Sequence, residues 1–296
     1  PVPSYVIDAD ALDEPGLLER VIVGNYVLGR ERLVVKSSGR LSAPHLEEIR
    51  TASRRLMGLG IIEETGNQAF LQCSLEPSKF PIETLVKRLY NLGASMLKEA
   101  IEALITKDRS LAEAALHRED DADMVYWLLV RLILSAQQDE SLISKLGMET
   151  RLMNAGYRLI AKELETVADC AEIIALNVLE LIERHGEFDW PMIRTLREGA
   201  EAATRLYGDG LAALFTRDLK LANRTVLASQ KLEEELEAFH GQLLESVKDP
   251  VALLALRTIA SNLARVAGYS HSIARIAINR YLERASPVCK PVVTES

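Results

Sequence analysis

Aromatic residues are scarce in this chain of 296 residues, at 5%, whereas alanine and leucine are abundant. Because strands are enriched in aromatic and β-branched side chains, this composition predicts a mainly helical protein. Cysteine is also rare, and Cys73, Cys170 and Cys289 lie far apart without C-x-x-C spacing. Their number and spacing argue against a disulfide framework or a thiolate zinc site, and fit a reducing cytoplasm.

Long apolar runs and an excess of positive charge are missing as well. No uninterrupted apolar run reaches the length of about 18 residues that suggests a transmembrane helix, so we expect no membrane insertion. The first residues, PVPSYVIDAD, lack the basic and apolar segments of a signal peptide, which predicts a cytoplasmic protein. The formal net charge of -8 argues against a broad nucleic-acid footprint, since phosphate backbones are bound by clustered lysine and arginine.

Residues 1–75 alternate short strand-like runs with two helical stretches. Ser42 is a good helix N-cap, and the Gly66-Asn67 pair predicts a tight hairpin turn between the last two strands. The order of these runs predicts a small α/β domain with the sequence β-α-β-α-β-β. The strand-like runs lie near residues 5–7, 33–35, 60–64 and 69–72, and the helical stretches near 14–28 and 44–57.

From Pro81 onward the spacing of apolar residues is helical, and aspartate and proline mark the helix starts. Residues 103–112 read ALITKDRSLA and residues 213–222 read ALFTRDLKLA, with six of ten positions identical. A repeated junction between helices indicates a duplicated unit. The sequence therefore predicts two tandem three-helix bundles, at residues 81–186 and 187–285, and a disordered tail at 286–296. Their six helices are expected near 81–106, 108–139, 149–184, 189–216, 218–247 and 250–284.

Two pairs of carboxylates occur in the first bundle, Glu119 with Asp123 and Glu165 with Asp169. A spacing of four residues places each pair on one face of its helix, and a hairpin turn near residue 144 would bring the pairs side by side. Four adjacent carboxylates repel one another unless a cation lies between them or some are protonated. Oxygen ligands suit iron, magnesium, manganese or calcium, so the pattern predicts a metal site; the alternative is a solvated acidic face.

The second bundle provides an internal comparison. The two repeats align Ser229 and Glu233 with the first pair, and Ala264 and Gly268 with the second. Since only one of these four residues is a carboxylate, we expect no metal site in this half of the duplication unless Glu234, Glu235 or Glu237 substitutes through a register shift. Glu237 and His240 form an isolated E-x-x-H, which is too little for a di-iron centre.

Three arginines, Arg50, Arg54 and Arg55, form a small basic face on the second helix of the α/β domain. Such a face is usually solvated, although it can also bind a phosphate or an acidic partner. The sequence alone leaves these alternatives open.

The segments REDDADMVYWLL and LIAKELETVADCAEIIALNVL resemble the acidic helices of the PhoU family of phosphate-uptake regulators. The resemblance extends over roughly residues 81–285, and the tandem duplication strengthens it. It implies a dimeric, all-helical, non-enzymatic regulator that restrains phosphate uptake through a phosphate ABC transporter or a signalling partner such as a sensor kinase. It also implies metal clusters on the acidic helices of some members, a pattern from which Ser229, Ala264 and Gly268 depart.

The segment IRTASRRLMGLGIIEE is similar to the linker domain of archaeal PhoU-like proteins, which often carry an AbrB-type DNA-binding hairpin ahead of it. No such hairpin is visible in this sequence. Two alternatives to the phosphate regulator stay open. One is a DNA-associated transcriptional regulator whose DNA-binding segment lies upstream of Pro1, and the other is a metal-dependent enzyme that uses the four carboxylates.

Overall fold

The α/β domain has the predicted order of elements. A computed structural model describes residues 3–185 and 191–291 of the chain. Gly66 and Asn67 lie in the hairpin turn, where the Thr65 N–H donates to the Gln68 carbonyl at 2.8 Å, and the Ser42 hydroxyl accepts from the His45 N–H at 3.2 Å. The domain consists of β1 (Ser4–Asp8), α1 (Leu17–Val27), β2 (Arg32–Lys36), α2 (Ala43–Arg55), β3 (Leu59–Glu64) and β4 (Gln68–Cys73), with a 3-10 turn at Ala9–Ala11.

The four strands form one mixed sheet in the order β1-β2-β4-β3. The α1 crossover makes β1 and β2 parallel, whereas β2 with β4 and β3 with β4 are antiparallel. Alternate residues of β4 are buried, so the sheet packs one face against α1 and α2. The core between them is made mainly by Leu18, Ile22, Tyr26, Leu33, Val35, Ile49, Ala52 and Leu71.

The rest of the chain is helical, as predicted, but one predicted helix is two. The continuous helix expected at 108–139 is interrupted at Arg118, and a short helix lies where the hairpin turn near residue 144 was expected. The interruption makes Glu119, Asp120 and Asp121 the first turn of a new helix, where the helix dipole favours negative charge. The helices are α3 (Ile82–Thr106), α4 (Arg109–His117), α5 (Glu119–Gln138), α6 (Ser141–Lys145), α7 (Arg151–His185), α8 (Met192–Thr216), α9 (Leu219–Ser246) and α10 (Pro250–Leu282), with a 3-10 turn at Pro77–Lys79.

The repeated sequence motif has a repeated backbone structure. Lys107 and Arg217 occupy equivalent places in the two copies, with φ angles of 59° and 55°. Within the described residues they alone combine a side chain other than glycine's with a positive φ. Each is followed by an aspartate that caps the next helix, Asp108 before α4 and Asp218 before α9. The duplication therefore preserves a sharp turn between helices, made of a left-handed residue and an N-cap.

The second bundle is the three-helix packing of α8, α9 and α10, in which α10 contacts both other helices. Among the described helices, α10 has the length and apolar composition that could cross a membrane. Its most apolar window is 56% buried against protein, which is typical of the central helix of a bundle.

The chain divides into two compact units. The first comprises Pro1–Arg88 and Asp123–Ala161, and the second comprises Leu89–Ala122 and Lys162–Ser296. Helices α3, α5 and α7 thus contribute residues to both units. At the predicted tail, Ser286 and Cys289 form a small hydrogen-bonded turn, whereas residues 292–296 and the helix start expected at Asp189 lie outside the described residues.

Candidate functional site

Asp123, one of the four predicted metal ligands, is bound by an arginine of the α/β domain. The Arg55 Nη2 lies 2.6 Å from Asp123 Oδ2, and its Nη1 lies 3.2 Å from Glu19 Oε1. Arg55 ends α2, Glu19 lies in the first turn of α1, and all three residues belong to the first unit. The Asp123 side chain is only 15% exposed and that of Arg55 is 42% exposed, so the ion pair is shielded from water on the carboxylate side.

The charges around Arg55 also explain its protonation. Burial alone would disfavour the charged guanidinium, but the hydrogen bond and charge of Asp123, followed by those of Glu19, outweigh it. The pKa of Arg55 is therefore raised above its ordinary value. Arg55 is a permanent cation between two carboxylates.

Three other side chains on the same side of α5 contact the α/β domain, and with Asp123 we call them the docking face. Trp127 packs against the core of that domain, and the Gln138 side chain donates to the Leu28 carbonyl at 3.3 Å. Arg131 lies between them in sequence and is 6% exposed. Spacings of four residues from Asp123 to Trp127 and on to Arg131 place these three on one helical stripe.

Arg131 makes the most buried polar contact of the docking face. Its guanidinium donates to the carbonyl of Tyr26, and to those of Gly29 and Arg30 at 3.1 Å each, just where α1 ends. It also lies 4.8 Å from the centre of the Tyr26 ring. A cation at the C-terminal end of a helix complements the helix dipole and satisfies carbonyls that have no partner inside the helix.

The remaining predicted ligands, Glu119, Glu165 and Asp169, lie in the second unit. Glu119 is half-buried at the first residue of α5. Glu165 accepts hydrogen bonds from the Lys162 ammonium and, at 3.1 Å, from the Thr166 hydroxyl.

Asp169 faces positive charge from α10. The pKa of Arg265 is raised first by its hydrogen bond to Tyr269, and the charge of Asp169 adds to this effect. Burial raises the pKa of the neighbouring Cys170 thiol to about 11, so this cysteine is a protonated core residue rather than a thiolate ligand.

The carboxylates, as placed, do not fit a resident metal ion. Across the described part of the chain, no three histidine, cysteine, aspartate or glutamate side chains are grouped so that they could hold one. At Asp123 and Glu165 the nearest positive charge belongs to an arginine or a lysine. A metal at Glu119, Asp123, Glu165 and Asp169 stays a prediction that metal analysis can test.

In the second bundle the aligned positions lie on adjacent helices. Ser229 is fully buried on α9, and a Cβ added to Gly268 on α10 would lie 3.6 Å from Glu233 Oε1. The His240 ring nitrogen Nε2 lies 3.3 Å from the Ser261 hydroxyl, and burial, with the charge of Arg257, lowers the His240 pKa. The isolated E-x-x-H thus supplies a neutral histidine paired with a serine.

The basic face of the α/β domain is occupied by acidic side chains of the same chain. Arg50 pairs with Glu64 at 3.1 Å and Arg54 with Glu47 at 2.8 Å. Arg55 pairs with Asp123, as described above. Arg50 and Arg54 are 48% and 64% exposed, so this face is solvated and is also paired with acidic residues of the same chain.

The second unit also contains a cleft that the sequence interpretation missed. It has a volume of about 650 Å³ and lies between α3 and α8, with an apolar floor that includes Leu97 and Ile101. Lys98 and Arg205 lie at its rim. Small residues on both helices leave this space open. The sequence signal for the cleft is therefore the set of small residues that line it, Ala94 and Ser95 on α3 and Ala200 and Thr204 on α8.

Residues 86–178, which include all four predicted ligands, match the family model of the PhoU domain. This part of the chain is a PhoU domain. It is 27% identical over 187 residues to the phosphate-specific transport system accessory protein PhoU homolog 2 of Thermotoga maritima, a match that covers 62% of this chain and 77% of that relative.

Two solved structures show that the fold is that of PhoU proteins. The phosphate transport system regulatory protein PhoU from Streptococcus pneumoniae superimposes with a TM-score of 0.58 at 17% identity, covering 69% of this chain and 94% of that one. PhoU from Pseudomonas aeruginosa gives a TM-score of 0.58 at 17% identity, covering 67% and 94%. The predicted resemblance to the PhoU family is confirmed by the PhoU domain at residues 86–178, and the mainly helical fold preceded by an α/β segment is confirmed as well.

Proposed function

We propose that this chain is a non-enzymatic accessory regulator of phosphate transport. It acts in the cytoplasm, as a homodimer, by contacts with a component of a phosphate ABC transporter or with a signalling partner. The observation that carries the proposal is the PhoU domain at residues 86–178, together with relatives named for phosphate transport.

The placement of the acidic residues supports a binding role over a catalytic one. General acid–base or metal-assisted catalysis needs convergent, unpaired titratable groups that can reach a substrate. Asp123 and Glu165 are instead engaged by Arg55 and Lys162. The basic face on α2 is likewise engaged, so it supports neither a phosphate site nor a nucleic-acid surface.

Gene deletion with complementation tests the proposal. A strain that lacks the gene should lose the repression of phosphate uptake in high phosphate and accumulate more polyphosphate, and the full chain should restore both. Purified chain should also retain the ATPase subunit of the phosphate transporter in a pull-down. Unchanged uptake and unchanged polyphosphate in the deletion strain would refute the proposed function.

One double variant separates this proposal from the metal-dependent enzyme. Glu165→Ala with Asp169→Ala removes two of the four carboxylates, and an adaptor that works through helix surfaces should still complement the deletion. The control is Glu113→Ala, which removes a half-exposed carboxylate of α4 that pairs with Arg109. If the folded double variant fails to complement while the control succeeds, the result would favour the metal-dependent enzyme over the regulator.

A further inference from the structure

The docking face of α5 begins at a residue for which the sequence pattern predicts a different role. The spacing of the carboxylates predicts that Asp123 binds metal in a four-carboxylate set. In the structure its Oδ2 accepts from Arg55 of the α/β domain at 2.6 Å. The same arginine reaches Glu19 of α1, so the carboxylates of two helices share one guanidinium.

We propose that Arg55 is a built-in counter-cation that takes the place of a metal ion at Asp123 and fastens the α/β domain to α5. The proposal depends on the geometry of the first unit and is independent of the proposed function. It assigns to Arg55 and Asp123 a role in holding this domain, and it removes Asp123 from the predicted metal ligand set.

The electrostatics favour Arg55 over a metal ion as the cation at Asp123. A metal ion binds a carboxylate oxygen at about 2.0–2.6 Å, so an ion on Asp123 Oδ2 would compete with Arg55 for the same oxygen. The guanidinium has a fixed charge and cannot be displaced by deprotonation. If the arginine stayed, its charge and that of the metal would repel each other in a site where Asp123 is only 15% exposed.

The neighbours of Asp123 explain why an arginine can be held there. Trp127 and Arg131, one and two turns farther along α5, pack against and donate to the α/β domain. These contacts place the end of α2 beside the start of the docking face, and Glu19 fixes the other arm of the guanidinium. The arginine is therefore held on both sides, with less loss of side-chain entropy on pairing than a free surface arginine would have.

A double-mutant cycle on the full chain tests the proposed pair. The variants are Arg55→Ala, Asp123→Ala and the double variant, and the matched control is Arg54→Ala, whose ion pair with Glu47 is 64% exposed on each side. Thermal unfolding should show a loss of about 3–8 °C for each single variant, while the control changes by less than about 2 °C. Since both single variants break the same contact, the double variant should be no less stable than the less stable of the two single variants.

Metal content is the second measurement. Each protein is incubated with Mn²⁺ or with ferric iron, desalted, and measured by elemental analysis. We expect Asp123→Ala to retain as much metal as the wild-type chain, whatever that amount is. If Asp123→Ala does not fold, Asp123→Asn keeps the shape of the side chain and serves in its place.

Two results would overturn the proposal. Additive losses of stability in the double variant would show that Arg55 and Asp123 do not act as a pair. Less bound metal in Asp123→Ala than in the wild-type chain, with the fold intact, would make Asp123 a metal ligand after all.

Discussion

The substitution Arg131→Met measures how strongly the α/β domain is held by the docking face. Arg131 is 6% exposed and donates to the carbonyls of Tyr26, Gly29 and Arg30. Methionine matches the aliphatic part of the arginine side chain but has no guanidinium, so it donates no hydrogen bond. The change therefore removes the donors while it keeps the packing of the aliphatic part.

The cost follows from the three carbonyls that lose a charged donor. A hydrogen bond to a charged group contributes about 1.5–3 kcal/mol, and a buried acceptor left without a donor costs about 1–3 kcal/mol. The Tyr26 carbonyl keeps the Gly29 N–H as a donor at 3.0 Å, so it does not lose its last partner. Against this, the variant no longer buries a charge, and the freed carbonyls at the end of α1 can relax toward water. We expect a net loss of about 3–5 kcal/mol in the free energy of unfolding, the range seen when one partner of a buried charged interaction is removed.

Urea unfolding followed by circular dichroism is a suitable assay. The control is Arg151→Met, because the ion pair of Arg151 with Glu140 is 66% and 67% exposed and should contribute less than about 1 kcal/mol. Arg131→Lys keeps the charge but lacks the planar fork, so it should fall between the wild-type chain and the methionine variant. A loss for Arg131→Met no greater than that of the control would refute the assigned role of Arg131.

Two further predictions concern local conformation and pH. Lys107→Gly and Arg217→Gly should each raise the free energy of unfolding by about 0.5–1 kcal/mol, because glycine adopts a positive φ without strain; the two alanine variants, which keep the strain, should show no such gain. Burial raises the pKa of Glu163 above 4.5, although a hydrogen bond with Ser272 opposes the shift. The folded chain then binds this proton more tightly than the unfolded chain, so the contribution of Glu163 is fully present below about pH 4.5 and is lost as the pH rises through its folded pKa. Glu163→Gln should therefore be more stable than the wild-type chain at pH 7, with a smaller difference at pH 4; a difference that grows on acidification would contradict this sign.

Much of the fold could be predicted because it depends on local patterns. Period-two and period-3.6 hydrophobicity, turn residues and caps act within a few residues, so the strand order in sequence and helix starts such as Ser42 and Asp218 could be identified. The interruption at Arg118 was missed because apolar residues continue at helical spacing on both sides of it. The available signal was the acidic run at residues 119–121, which is the composition of a first helical turn.

The candidate site could be predicted only in part. Helical spacing correctly indicated that Asp123 lies on one face of its helix, and the basic face on α2 was open to an acidic partner. The contact between the two joins residues 68 positions apart, and no local pattern specifies which distant charge will meet which. Arg50 and Arg54 pair with glutamates 14 and 7 positions away, so the partners of three neighbouring arginines lie at three different distances along the chain.

The docking face also shows why a carboxylate motif is weaker evidence for metal than its spacing suggests. Residues four apart share a helical face whether that face binds an ion or another part of the protein. The i, i+4 spacing is therefore compatible with both roles and does not distinguish them. The two roles differ in the positive charge that lies next to the carboxylates. A metal site needs several carboxylates without a cation of their own, whereas Asp123 and Glu165 have Arg55 and Lys162 within hydrogen-bonding reach. In this chain an arginine at the end of α2 pairs with an acidic residue of α5, and this pairing is the physical basis of the proposed change of Asp123 from metal ligand to domain anchor.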